Sequence, residues 1–338
     1  MAGGGDDFGT TWLAADRATR TLTETPWSTL TVAVTGANGY FGHRLVKSLV
    51  ESNVAQVVAL DRVHTRPWPR DRVRTITADI RDPDAVRAAL TGVEAVVHVA
   101  SYFGNPPFST VSDSGEWAVN AEGTRNLLAA AAAQGVHSFV YISSSSAIVS
   151  GRQELLDVPE THPYPTRYLD FYGPAKAAAE RFVLAAHGQP AERPLHTAVI
   201  RPSGIFGEDE LLHIPRVLAL VDRMGGYLPV YFAGDPRSDW THTENLAWAV
   251  YLVLDQLRRP HGGRAGGEIF HITDGESLST SGSPPGGQEC QDVILSNICA
   301  VAVRTLGLWQ RTLPSSDRLS RRVGDASCRW CRCTCGCS

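Results

Sequence analysis

Residues 31–42 read TVAVTGANGYFG. Thr31 to Val34 is a short β-branched run, which predicts a buried strand. Gly36, Gly39 and Gly42 follow at a spacing of three, and a helical stretch runs from Tyr40 to about Glu51. The first glycine permits a tight turn, the second lets backbone approach a pyrophosphate, and the third lets helix and strand pack closely. A phosphate then meets the helix N-terminus, where free amides and the dipole favour an anion. Strand, glycine turn and helix in this order constrain the chain to begin its fold as a βαβ unit with a dinucleotide-type cradle.

A second apolar strand, Gln56 to Leu60, ends on Asp61. Asp61 stands about 20 residues past the glycine turn, where an acid meets the adenosine ribose hydroxyls. That position favours NAD. Arg62 beside it keeps NADP as the alternative, because a guanidinium there could accept a 2′-phosphate. The plain structural alternative for Asp61 is a strand-end turn residue.

Further along, strands and helices alternate in βαβ fashion. Strands are predicted at Val73 to Ile80, Ala95 to Ala100, Phe139 to Ile142, Thr197 to Ile200 and Glu268 to Ile272. Helices are predicted after Asp82 to near Leu90, over Asn120 to Gln134 with Gly135 closing it, and after Tyr172 with Pro174 in the first turn. The fold class is α/β: a Rossmann doubly wound parallel sheet of about seven strands with a small α/β substrate-binding lobe. The predicted organisation is a leader at 1–28, a dinucleotide domain at 29–202 and 242–275, a capping segment at 203–241 and a poorly ordered tail at 276–338. The glycine turn, Asp61, Ala100-Ser101, the serine run at 143–146 and Pro202 all fall at carboxyl ends of strands, where open parallel sheets bind ligands.

Lys176, one of only two lysines, stands four residues after Tyr172. Residues i and i+4 share a helix face. An ammonium beside a phenol favours the phenolate and lowers its pKa, which suits a tyrosine that exchanges protons with an alcohol or carbonyl. The alternative is a surface tyrosine with a lysine nearby.

Composition removes several classes. The net charge is −4 with no basic run, so nucleic acid is not an expected partner. No apolar stretch reaches the 18 or so residues of a spanning helix. Residues 1–289 lack cysteine, which fits a reducing, cytoplasmic setting, with peripheral membrane association as the alternative. His98, in an apolar strand, reads as a satisfied core histidine. His242 reads as a structural residue fixing the loop near Asn245.

These residues together resemble the extended short-chain dehydrogenase/reductase superfamily, and within it the 3β-hydroxysteroid dehydrogenase/isomerase-like branch. The carrying segments are TGANGYFG (35–42), ADI (78–80), HVAS (98–101), VNAEGTRNLL (119–128), FVYISSSS (139–146), YGPAK (172–176), RPSGIFG (201–207), GDPRSDWTHTENLA (234–247) and FHITDG (270–275). The resemblance implies a catalytic set of Tyr172, Lys176, Ser144 and Asn120. Tyr172 would be the general acid/base, Lys176 its tuner and a ribose ligand, and Asn120 a holder of a water-linked proton path. Strand alternation ranks Ser144 first and Ser146 second for the substrate hydroxyl contact. It also implies that Gly36, Gly39, Tyr40, Phe41, Gly42, Asp61, Arg62, Asp79, Ile80, Ala100, Lys176, Pro202 and Ile205 line the dinucleotide, with no metal. Homodimers through helices like 119–134 and 173–187 belong to the same implication.

The implied activity is oxidation of a secondary alcohol, steroid- or sterol-like, by a nicotinamide cofactor. The apolar stretches HIPRVLALV and YLPVYF in the capping segment agree with an apolar alcohol or ketone. A sugar-nucleotide epimerase or dehydratase is the second reading, for which Arg216 and Arg237 are the candidate diphosphate ligands. A catalytically inactive dinucleotide-binding variant is the third. From about Leu278 the chain departs from the branch. All seven cysteines fall in the last 49 residues, and they read as part of an alternative, out-of-frame tail in preference to a soft-metal thiolate site.

Overall fold

A computed structural model describes residues 27–104, 114–152, 154–210, 223, 237–275 and 277–279. The leader, most of the capping segment with Arg216, and the cysteine-bearing tail lie outside these residues.

Seven parallel strands form the sheet: β1 (Thr31–Thr35), β2 (Gln56–Asp61), β3 (Val73–Thr77), β4 (Ala95–His98), β5 (Ser138–Ile142), β6 (His196–Pro202) and β7 (Ile269–Ile272). Their spatial order is β7-β6-β5-β4-β1-β2-β3. The inner strands are buried on both faces, as the runs VVAL, AVVH and SFVYI require. β3 reads VRTIT and is largely exposed, as suits an edge strand.

Helices cover both faces. On one side α1 (Tyr40–Glu51) and α5 (Thr243–Leu257) pack Leu45, Leu49, Leu246 and Leu254 against Val32, Val34 and Val97. On the other, α2 (Pro83–Ala89), α3 (Gly123–Gln134) and α4 (Tyr172–Ala185) pack Val86, Leu127, Ala131, Ala179 and Val183 against Ala33, Val96, Phe139 and Val199. The helix ends follow their local chemistry. Asp82 caps α2 through the amides of Asp84 and Ala85 at 3.0 and 3.1 Å, with Pro83 next to it. Gly135 closes α3 in the left-handed conformation, φ 70°.

Three boundaries differ from expectation. β3 stops at Thr77 because its only neighbour, β2, ends opposite it at Asp61. β4 stops at His98, where the amides of Val99 and Ala100 turn to the Thr35 hydroxyl at 3.2 and 3.1 Å. The Asn120 helix opens with a π segment, Trp117–Glu122, ahead of α3.

The chain divides into two units. The larger contains the sheet and ends at Ile205 and Ser277, with Phe206–Arg237 and the residues from Leu278 onward assigned to the other. Among the described residues, the second unit is represented by short pieces such as the turn at Gly207–Asp209. No helix among the described residues is long and apolar enough to cross a membrane.

Candidate active site

The sheet order reverses between β1 and β4. Chain growth runs outward from β1 to β3 and then returns to β1's other side. The carboxyl ends of β1 and β4 therefore border the crevice expected of a doubly wound sheet.

The glycine turn sits at this crevice. Gly36 has φ +68°, and a Cβ there would lie 2.7 Å from Ala100 Cα and 2.8 Å from its nitrogen. A Cβ on Gly42 would collide with the Gly36 carbonyl. Gly39 occupies the N-cap of α1 and brings no side chain to the first amides of the helix, which keeps them available to an anion. This is a cradle that side chains would fill, and it fits the diphosphate of a dinucleotide.

Asp61, at the end of β2, accepts the Asn38 amide at 2.9 Å and the Arg62 amide at 2.7 Å. It therefore braces the glycine turn as well as facing it. Asp79 is gripped by Arg81, Nε to Oδ1 at 3.0 Å and Nη2 to Oδ2 at 2.6 Å. These bonds hold its carboxyl below the usual range despite partial burial. Phe41 and Ile80 turn their side chains into the core. Ile80 packs where α3 begins, so close that a Cβ on Gly123 would lie 2.6 Å from its Cδ1. Tyr40 and Ile205 are partly buried, and Arg62 is exposed. Pro202 ends β6, paired with Ile272.

Tyr172 begins α4. Its hydroxyl pairs with Ser101 Oγ at 3.4 Å, and the Ser144 side chain stands close enough to lower its pKa. The Phe103 ring stands edge-on at 5.0 Å. Ser101 is the contact that motif reading left aside; its position at the end of the HVAS strand was the available signal.

Lys176, 1% exposed, donates to the Ile142 carbonyl at 2.8 Å, 4.5 Å above the Tyr141 ring and 5.7 Å from the Tyr172 ring centre. Burial pulls its pKa down to about 7, with Glu180 acting the other way. Burial likewise pushes Tyr172 up, and the bonds from Ser101 and Ser144 offset this only in part. The expected lowering of Tyr172 by Lys176 is thus not found. The lysine is itself desolvated and bonded to a backbone carbonyl.

The serines lie beyond the strand whose alternation ranked them. The strand ends at Ile142, and Ser145–Ala147 forms a 3₁₀ turn, so alternation does not run through the serines. Ser144 Oγ also accepts the Ser146 amide at 3.1 Å, capping that turn. Ser143 points the other way, into the buried Glu180 carboxylate at 2.5 Å.

Asn120 lies in the π segment, 1% exposed. Its side chain grips the Tyr102 peptide, accepting the amide at 2.8 Å and donating to the carbonyl at 2.7 Å. Ser101 Oγ donates to the same oxygen at 3.2 Å. The carboxamide ties down the loop under Tyr172.

His242 caps α5 through the Glu244 amide at 3.3 Å, while Asp274 accepts the His242 amide at 2.9 Å and Asn245 Nδ2 at 2.8 Å. The structural reading of His242 stands. Among the described residues, no group of three or more His, Cys, Asp or Glu is placed to hold a metal ion.

The family model described as the 3-beta hydroxysteroid dehydrogenase/isomerase family matches residues 33–280. The chain belongs to this family. It is 33% identical over 252 residues to a 3-beta-hydroxysteroid dehydrogenase of Mycolicibacterium neoaurum, covering 73% of this chain and 66% of that one. It is 34% identical over 258 residues to short-chain dehydrogenase/reductase family 42E member 1 of Bos taurus, covering 74% and 64%. The chain thus spans just under two thirds of the length of these curated relatives. Among solved structures it is similar to MoeE5 in complex with UDP-glucose and NAD, with a TM-score of 0.62, 26% identity and 82% coverage of both chains. The dinucleotide-binding Rossmann architecture is common to both.

Proposed function

We propose that this member of the 3-beta hydroxysteroid dehydrogenase/isomerase family is an NAD-dependent oxidoreductase acting on a secondary alcohol or ketone of steroid- or sterol-like, apolar character. The observation that carries the reading is the convergence of Tyr172, Ser144 and Lys176 beside the glycine cradle at the β1–β4 crevice. The relatives' names support the substrate class.

The glycine turn and the first amides of α1 would hold the diphosphate, Asp61 the adenosine ribose and Lys176 the nicotinamide ribose. When bound, the nicotinamide supplies the hydride acceptor or donor. Ser144 donates to the substrate oxygen. Tyr172 takes the hydroxyl proton in oxidation and returns it to a carbonyl in reduction. Burial favours its neutral, donating form, and the neighbouring Ser101 and Ser144 hydroxyls favour the accepting one. Asn120 keeps Ser101 and Tyr102 beneath the tyrosine. Phe103 adds an apolar edge beside the reacting hydroxyl. A homodimer and a cytoplasmic setting accompany this reading.

A sugar-nucleotide reading draws on the UDP-glucose complex of MoeE5. Calorimetric titration with NAD and NADP, followed by turnover of 3β-hydroxysteroids and sterols read at the reduced-nicotinamide absorbance and of UDP-glucose read by chromatography of the sugar nucleotide, separates the two. The expected result is NAD binding with hydroxysteroid turnover. Turnover of UDP-glucose alone would replace the steroid reading. Folded protein that binds neither dinucleotide would end both.

A further inference from the structure

Three consecutive residues at the end of β5 each engage a different turn of α4. The Ile142 carbonyl accepts Lys176 Nζ at 2.8 Å. The Ser143 hydroxyl donates to Glu180 Oε1 at 2.5 Å. The Ser144 side chain stands beside the Tyr172 hydroxyl and favours its ionised form. Tyr172, Lys176 and Glu180 are spaced by four, so they form one stripe down the helix. Two rungs of this ladder belong to the reacting set. The third does not touch it.

Glu180 is fully buried, and donors surround its carboxylate. Arg201, 1% exposed, gives Nε at 2.9 and 3.1 Å and Nη2 at 2.7 Å. The Tyr164 hydroxyl donates at 2.8 Å. Arg201 Nη1 reaches the Glu160 carbonyl at 3.1 Å, and Glu160 Oε1 accepts the His271 amide at 3.2 Å. The Ser143 amide donates to the Ile200 carbonyl at 2.7 Å, which locks the end of β5 to β6. Two charges buried together are expensive to desolvate, and an apolar pair of the same volume often stabilises as well or better. What this cluster supplies is registration: α4, the end of β5 and the end of β6 meet at one carboxylate.

We propose that Glu180 is a positioning residue for the Tyr172–Lys176 pair, holding α4 in register with the strand end that carries Ser144. The proposal rests on the reading of Tyr172, Lys176 and Ser144 as the reacting set. Charge adds to geometry. Lys176 is faced by His98 on β4, Tyr141 on β5, and Tyr172 and Glu180 on its own helix. Of these groups Glu180 carries the negative charge that opposes the effect of burial on the ammonium.

Two variants test this. Ser143→Ala removes one rung and leaves the Glu180–Arg201 pair whole. It should keep the melting temperature and the NAD dissociation constant of the parent while kcat falls about tenfold, the size of a mispositioned reacting group. Glu180→Gln keeps an acceptor for Ser143 and removes the charge. Its effect is read directly at Lys176 by titrating ¹⁵N-lysine-labelled protein by NMR. The chain has only two lysines, and Lys47 is exposed. The Lys176 midpoint should fall by roughly one pH unit. If Glu180→Gln does not fold, Glu180→Gln with Arg201→Gln removes both buried charges, and the same midpoint is read. An unmoved midpoint in folded protein, or Ser143→Ala with parental kcat, overturns the proposal. If the parent turns over no alcohol, the dehydrogenase reading fails, and the Lys176 midpoint still decides the role of Glu180.

Discussion

Thr35 and His98, on neighbouring strands, share a hydrogen bond of 2.7 Å between Oγ1 and Nδ1. The Thr35 oxygen already accepts the amides of Val99 and Ala100, so its proton goes to His98. The imidazole must then carry its own proton on Nε2, which faces the Thr124 hydroxyl at 2.9 Å. Thr124 in turn donates to the Asn120 carbonyl at 2.6 Å. This relay holds Ala100 against Gly36 at one end and the Asn120 segment at the other. It works only while His98 is neutral.

Acid should therefore loosen the protein through His98. Its folded pKa is about 3, depressed from 6.5 by burial first and by the Lys176 charge second. Between those values the unfolded chain binds the extra proton, so stability falls as pH drops from about 6.5 toward 3, by roughly 3–5 kcal/mol in full. Urea midpoints at pH 7, 5 and 4 measure the slope. His98→Asn should be less stable at pH 7 and flatter with pH; an unchanged slope would assign the titration to another group.

Gly36→Ala should abolish dinucleotide binding in calorimetry. It forces a non-glycine residue to φ +68° and sets a methyl 2.7 Å from Ala100 Cα. The strain should also cost about 1–3 kcal/mol of stability, read as a lower urea midpoint.

The two serines separate by turnover. Ser144→Ala removes the side chain that meets Tyr172 and should lower kcat about 100-fold with little change in NAD affinity. Ser146→Ala, in the 3₁₀ turn, should stay within a factor of a few. The reverse order would transfer the substrate contact to Ser146.

Tyr172→Phe should lower kcat by about 10³-fold or more while NAD binds as before. Retention of parental kcat would remove the proposed acid/base.

Asp61→Asn keeps an acceptor for the Asn38 amide and loses the charge that repels a 2′-phosphate. Titration should show the NAD preference over NADP narrowing by about tenfold or more. An unchanged ratio would place selectivity elsewhere.

Much of this was legible in the chain. β1, β2, β4 and β5 announce themselves because strands buried on both faces need unbroken apolar runs, and the glycine turn follows from its spacing. The π segment at Trp117–Glu122 was not, since a widened helical turn leaves no periodic mark distinct from an α-helix. The serine alternation misled because a strand's period holds only while a neighbour pairs with it, and β5 pairing stops at Ile142. Motif position alone does not tell that the side chains of Phe41 and Ile80 turn into the core. Glu180 went unnoticed although it stands one helical turn past Lys176; its meaning depends on Arg201, which reaches it only through β6.

The return of β4 to the inner flank of β1 also has a consequence for synthesis. A chain emerging from the ribosome completes β1 to β3 first and leaves β1 with one open edge until residues 95–98 arrive. Val32 and Val34, fully buried in the finished protein, border that open edge in the meantime, as an unpaired template for other nascent strands. Slow translation through residues 62–94 would prolong that exposure, so codon choice there bears on yield independently of the folded protein's stability.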